Sequence, residues 1–272
     1  MSFALALFAA SASAVVVPLS TPNLSYDTDM LTLSDISVAR PAAAVIERAG
    51  DRGRVGASRL DEGGSGGITF SSNIDIVSDY RFRGVSLSNT GPALQSGIEA
   101  EANGFYVGVW ASTIARFADT KAELDLYGGW RGSVSGLDLD AGVVTYLYPR
   151  GDGTKYAEFQ GSIGKTIGPV DVKAGVYYAP SQKHIGSDNL YLYSDLRAGL
   201  PNTPLSFIAG IGYEDGSLAG PDGKKLDWSV GTEITMERVT VGLKYADSDV
   251  KKVDDPDRNA QAALVASLGV AF

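Results

Sequence analysis

Cysteine is absent from all 272 residues, and histidine occurs once, as His184. The first absence excludes disulfides, thiolate metal sites and thiol nucleophiles. The second excludes multi-histidine metal centres and leaves almost nothing for a histidine-based triad. Basic residues are short as well, 23 Lys and Arg against 32 Asp and Glu, and the net charge of −9 argues against nucleic acid as a partner. The longest apolar stretch, Ser2 to Val17, is too short to span a bilayer as a helix but suffices for an export signal. Ala12-Ser13-Ala14 has the A-x-A form of a signal-peptidase site, and Pro18 stops any helix. Residues 1–14 therefore read as a signal peptide, although no Lys or Arg precedes the apolar run.

What the chain does have is glycine, 33 residues, and more Tyr (13) than Phe (9) or Trp (3). That mixture suits a wide, curved sheet with wet interfaces. Residues 15–67 are rich in Ser, Pro, Asp and Arg and show no sustained alternation. Pro41 to Gly50 could form a short helix, and Asp61 to Gly67 (DEGGSGG) reads as a flexible linker. The segment is expected to be a disordered periplasmic lead-in, with a folded plug as the alternative.

From Ile68 onward the sequence alternates with period 2, as half-buried strands do. Ile74, Ile76, Tyr80 and Phe82 share one face of the first segment; Asp75, Asp79, Arg81 and Arg83 share the other. Leu94 and Ile98 then oppose Gln95, Glu99 and Glu101, and Asn103-Gly104 signals a hairpin. Later segments repeat the pattern: Leu124, Leu126 and Trp130 against Glu123, Asp125 and Arg131, and Leu192 and Leu196 against Asp195 and Arg197. About twelve antiparallel strands result. Short turns (103–104, 133–136, 167–169, 201–203, 237–238) alternate with long loops (85–92, 114–120, 149–154, 180–188, 215–225, 248–259), as periplasmic turns and external loops do in outer-membrane barrels.

Alternation alone does not choose the outer face. Twelve strands enclose a lumen wider than small side chains can fill, which favours apolar side out and charges within. Two aromatic sets agree: Phe82, Tyr178, Tyr213, Trp228 and Tyr245 near the long loops, and Phe105, Trp130 and Phe272 near the short turns. The alternating close on Leu268, Val270 and Phe272 looks like the terminal signal read by the barrel-assembly machinery. The fold class expected is all-β, a transmembrane antiparallel barrel over 68–272 in the cell outer membrane, in contact with lipid and lipopolysaccharide.

Val77-Ser78-Asp79-Tyr80-Arg81-Phe82-Arg83-Gly84-Val85-Ser86, followed by Gly91-Pro92-Ala93-Leu94-Gln95, resembles the opening of the TorF family of bacterial porins, also labelled Gcw_chp. Gly104 to Trp110, Glu123 to Trp130, Tyr146 to Pro149 and Gly175 to Pro180 resemble its later blocks. The resemblance covers about 68 to 272 and implies a porin without assigned catalytic residues. Its members usually reach the first strand soon after the signal peptide, so residues 18–66 depart from the pattern.

Acids outnumber bases on the polar face. Asp75, Asp79, Arg81, Arg83, Glu99, Glu101, Glu123, Asp125, Arg131, Asp195 and Arg197 are the candidates to line a water-filled, mildly cation-preferring pore for small solutes. Alternatively these charges pair and help to close the lumen, leaving a structural or adhesive barrel acting through its loops. Asp79, Arg81 and Arg83 facing Glu99 and Glu101 form either a register-pinning ladder or a selectivity zone. Asp247, Asp249, Asp254, Asp255 and Asp257 crowd the last loop, where solvated acids are commoner than a divalent-cation site. His184 lies near Ser181 and Ser187, but nothing resembles a nucleophile elbow, so no enzyme and no cofactor are expected. A homo-oligomer is compatible with the sequence.

Overall fold

The computed structural model describes residues 67–117, 119–150, 154–251, 255 and 259–272. The signal peptide and lead-in expected over 1–66 lie outside them. The strands are β1 (Thr69–Val77), β2 (Arg81–Phe82), β3 (Val85–Ser86), β4 (Ala93–Ala102), β5 (Phe105–Phe117), β6 (Thr120–Val134) and β7 (Leu137–Leu147). They continue with β8 (Lys155–Ile167), β9 (Val170–Ala179), β10 (Asn189–Gly199), β11 (Leu205–Gly216), β12 (Lys224–Met236), β13 (Val239–Ser248) and β14 (Ala263–Ala271). All but β2 and β3 form one closed antiparallel barrel of neighbours in chain order, twelve strands as the alternation predicts. β1 closes it against β14, with Asn73–Val77 in register with Ser267–Ala271.

The tight turns follow from local chemistry. Asn103-Gly104 and Ser135-Gly136 both hold positive φ at two successive residues, the type I′ geometry whose twist matches the strands it joins. The apolar face points outward: Ile76, Ile98, Val107, Leu126, Val172, Leu192 and Leu243 are all exposed on the barrel's outer surface. Tyr178, Tyr213 and Tyr245 are exposed on that surface towards the long loops, and Phe105, Trp130 and Phe272 towards the short turns. In a soluble barrel those side chains would be the core; here the core is elsewhere.

Three sequence expectations are corrected. The first strand does not run to Arg83. It leaves the wall after Val77, and the chain turns into the barrel as the small β2–β3 hairpin, so Tyr80 and Phe82 are buried inside instead of facing lipid. Secondly, the connection expected as a long loop over 114–120 is a hairpin end. β5 and β6 pair as far as Phe117 with Thr120, past a register shift between Thr113 and Phe117, and Arg116 braces the turn on Asp119 at 2.6 Å. Thirdly, the charge ladder expected between the first two wall strands is absent, because the residues that would form one side of it belong to the infolded hairpin.

Candidate functional site

Inward positions divide the barrel interior into two halves. Towards the long loops it is packed. Tyr127, Tyr146, Tyr148, Tyr156, Tyr177, Tyr191 and Tyr193 all point inward and are buried, with Trp110 and Ile114 among them, and Tyr106 joins the cluster from the short-turn side. Rings of this size fit because facing strands present glycine. A Cβ at Gly212 would lie 2.0 Å from the Tyr191 hydroxyl, one at Gly175 2.4 Å from that of Tyr193, and one at Gly108 2.3 Å from the Tyr127 ring. Each ring covers backbone that glycine leaves bare, which pins register as well as filling space.

The β2–β3 hairpin completes this packing. Its tip is Arg83-Gly84, both at positive φ (43° and 82°). Glycine is required there twice over, since a Cβ would also meet that of Asp227 at 2.7 Å. The hairpin is held at several points. Tyr80 donates its hydroxyl to Glu123 at 2.8 Å, Ser86 donates its amide to the Asn259 carbonyl at 2.7 Å, and Ser78 donates its amide to the Ala266 carbonyl at 2.9 Å. Arg81 pairs with Asp79 at 2.6 Å.

Arg83 is the centre of the charge network. It reaches Glu158 on β8 at 2.8 Å and Glu214 on β11 at 2.5 Å, with the three side chains at most 2% exposed. Its guanidinium lies 4.1 Å from the centre of the Tyr191 ring. Glu214 also receives Lys225 at 2.6 Å. A buried carboxylate without such partners is costly. Asp125 is the contrast: fully buried, with neither oxygen hydrogen-bonded.

Towards the short turns the interior is polar and more open. Arg131 gathers acids, with Glu99 at 2.9 Å, Glu101 at 3.6 Å and Asp140 at 3.9 Å, and packs its guanidinium over Tyr106 at 4.0 Å. Arg197 pairs with Glu233 at 2.6 Å. A cavity of 210 Å³ lies along β9 to β13, bounded by Lys173, Asp195, Arg197 and Lys244 and reaching up to Arg83 and Tyr191.

The sequence candidates thus fall into three groups. Asp75, Glu99, Glu101, Arg131, Asp195 and Arg197 project inward from the wall. Glu123 and Asp125 are enclosed in the packed half. Asp79, Arg81 and Arg83 sit on the hairpin within the lumen. Sequence reasoning missed Lys225 and the inward tyrosines. Parity with Asp227 marks the lysine, and parity with Asp195 marks Tyr191 and Tyr193.

In the loops, Ser181 donates its hydroxyl to the Gly186 carbonyl instead of engaging His184. Asp255 accepts the backbone amides of Asn259 and Ala260 at 2.8 and 2.9 Å, Asp249 that of Leu226 at 2.8 Å, and Asp247 the Tyr245 hydroxyl at 2.7 Å. These three acids hold loop backbone and side chains; Asp254 and Asp257 lie outside the described residues.

A closed antiparallel barrel with lipid-facing apolar side chains and charges within is an outer-membrane protein of the porin type. The family model described as "Bacterial protein of unknown function (Gcw_chp)" matches residues 61–272, and the chain belongs to that family. No curated protein matches it. Among solved structures it is similar to the NanC porin, with 9% identity and a TM-score of 0.51 over 75% of this chain and 99% of that one. The KdgM porin in complex with disordered oligogalacturonate gives 7% and 0.46 over 75% and 97%. A loop-deletion mutant of OmpT, an outer membrane protein of Vibrio cholerae, gives 9% and 0.42 over 77% and 100%. At such identity the likeness to the NanC porin speaks for the fold alone.

Proposed function

We propose that this protein is a diffusion channel for small hydrophilic solutes, with the β2–β3 hairpin as its constriction. The observation that supports this reading is the polar cavity inside the barrel, lined by charges of both signs and continuous with the hairpin tip. Charged groups in a lumen set which solutes enter. Glu99, Glu101 and Asp140 surround the single Arg131 on one wall, which favours cations mildly. Of the candidate lining residues, Glu99, Glu101, Arg131, Asp195 and Arg197 act here as the polar surface that a hydrated solute meets.

The packed long-loop half supports a second reading, a barrel that conducts nothing and works through its external surface. Planar-bilayer recording of the refolded protein separates the two. Discrete conductance steps with a cation-selective reversal potential are expected. Silence in the wild type and in a variant whose hairpin clamp is cut would establish the non-conducting barrel instead.

A further inference from the structure

The cavity is small. Its 210 Å³ falls below the roughly 300–1,000 Å³ of sites that take drug-sized ligands. It therefore suits a solute of amino-acid or monosaccharide size. Space exists because Gly210 and Ser229 occupy inward positions on its wall. Above them stand Tyr177, Tyr193 and Tyr191, whose centroids follow one another in that order at 5.8 and 6.0 Å with planes inclined by 30° and 18°.

Two charges on this wall stand out. Lys173 on β9 and Asp195 on β10 are direct register partners, and both line the cavity. Among the described residues neither side chain makes a hydrogen bond or an ion pair. Their neighbours are already engaged: Arg197 holds Glu233 at 2.6 Å, and Asp171 accepts the Thr166 hydroxyl at 2.6 Å. An ammonium and a carboxylate side by side, both uncommitted, suit one molecule that has both charges. A simple anion would be repelled by Asp195 and a simple cation by Lys173, and a neutral sugar can hydrogen-bond both but brings no charge to match either.

We infer that the cavity binds a small zwitterion of the α-amino-acid class, its carboxylate on Lys173 and its ammonium on Asp195 beneath the tyrosine rings. The inference rests on reading the lumen as a solute path and names the solute class for it.

Calorimetric titration of the folded, detergent-solubilised barrel with L-glutamine, D-glucose and D-gluconate tests it. Saturable binding of glutamine is expected, with glucose and gluconate at least about ten-fold weaker. Lys173→Met and Asp195→Asn should each weaken glutamine by about ten-fold or more, as loss of one charge-assisted contact does. Equal binding of the three solutes, or none, overturns the inference, and this comparison needs no variant to fold. Conductance measured without solute reports separately on the channel. A conducting barrel that ignores glutamine sinks only the zwitterion site, and a silent barrel that binds it sinks only the conduction reading.

Discussion

Arg83, at the tip of a hairpin that left the barrel wall, meets Glu158 on the far strand β8 at 2.8 Å, across 75 residues of chain. No other basic side chain reaches that carboxylate among the described residues, so the pair fixes where the hairpin rests.

Cutting this clamp should open the constriction without unfolding the wall. Arg83→Ala leaves Glu214 with Lys225 at 2.6 Å and Glu158 with the Tyr146 hydroxyl at 3.1 Å. The cost should therefore lie towards the low end of the ~3–5 kcal/mol seen when one partner of a buried pair is removed. Larger single-channel steps and faster proteolysis between Ser78 and Ser88 are expected, with β-sheet content unchanged. Steps of unaltered size would show that the hairpin does not limit flow.

The pairing of tyrosine with glycine can be tested at Gly212. Its added Cβ would sit 2.0 Å from the Tyr191 hydroxyl, so Gly212→Ala must displace the ring and should cost about 1–3 kcal/mol of unfolding free energy. In the Tyr191→Ala background the same change should cost much less, and a denaturant double-mutant cycle measures the coupling. Additive effects would mean that the ring does not depend on the bare backbone.

Arg131 is the base among acids on the short-turn half. Arg131→Ala frees Glu99, Glu101 and Asp140, and the reversal potential in a salt gradient should move further towards cations. A shift towards anions would contradict the acidic wall as a selectivity element.

The outer face can be tested by charge. Leu192 is 46% exposed on the lipid side. Leu192→Lys should destabilise the barrel in vesicles by up to ~2–4 kcal/mol, depending on its depth in the bilayer. Lys173→Ala, on the lumen side and without a partner, should change it by less than about 0.5 kcal/mol. Equal effects would mean that the two faces are not in different solvents.

Much of this architecture was legible in the residues. Period 2 placed Val172 and Leu192 outward and Asp195 and Arg197 inward, and the Asn103-Gly104 dipeptide marked its turn, because each signal is local. The hairpin was not legible. Tyr80 and Phe82 keep the parity of Ile74 and Ile76, but parity assigns a face only while the chain stays in the wall. What turns it inward is distant: Glu158, Glu214, Asn259 and Ala266 hold the hairpin from elsewhere in the barrel. Arg83-Gly84 was the available hint, a second two-residue turn signal inside what reads as one strand. The inward tyrosines were hidden by composition, since Tyr suits a membrane interface as well as a packed lumen, and only the facing glycines tell the two apart.

The ladder of β1 with β14 runs over Asn73–Val77, extended by the Ser72–Phe272 backbone pair, and is the briefest in the ring. Directly beyond it, Ser78 bonds Ala266, Arg81 bonds the Gln261 carbonyl and Ser86 bonds Asn259, so the infolded segment stitches first strand to last where their own pairing gives out. The infolded segment thereby fastens the ring shut, and a disturbance of the hairpin bears first on the shortest joint of the cylinder. Amide exchange should begin there, with Ile76 and Leu268 trading protons before the ladders of β10 and β11.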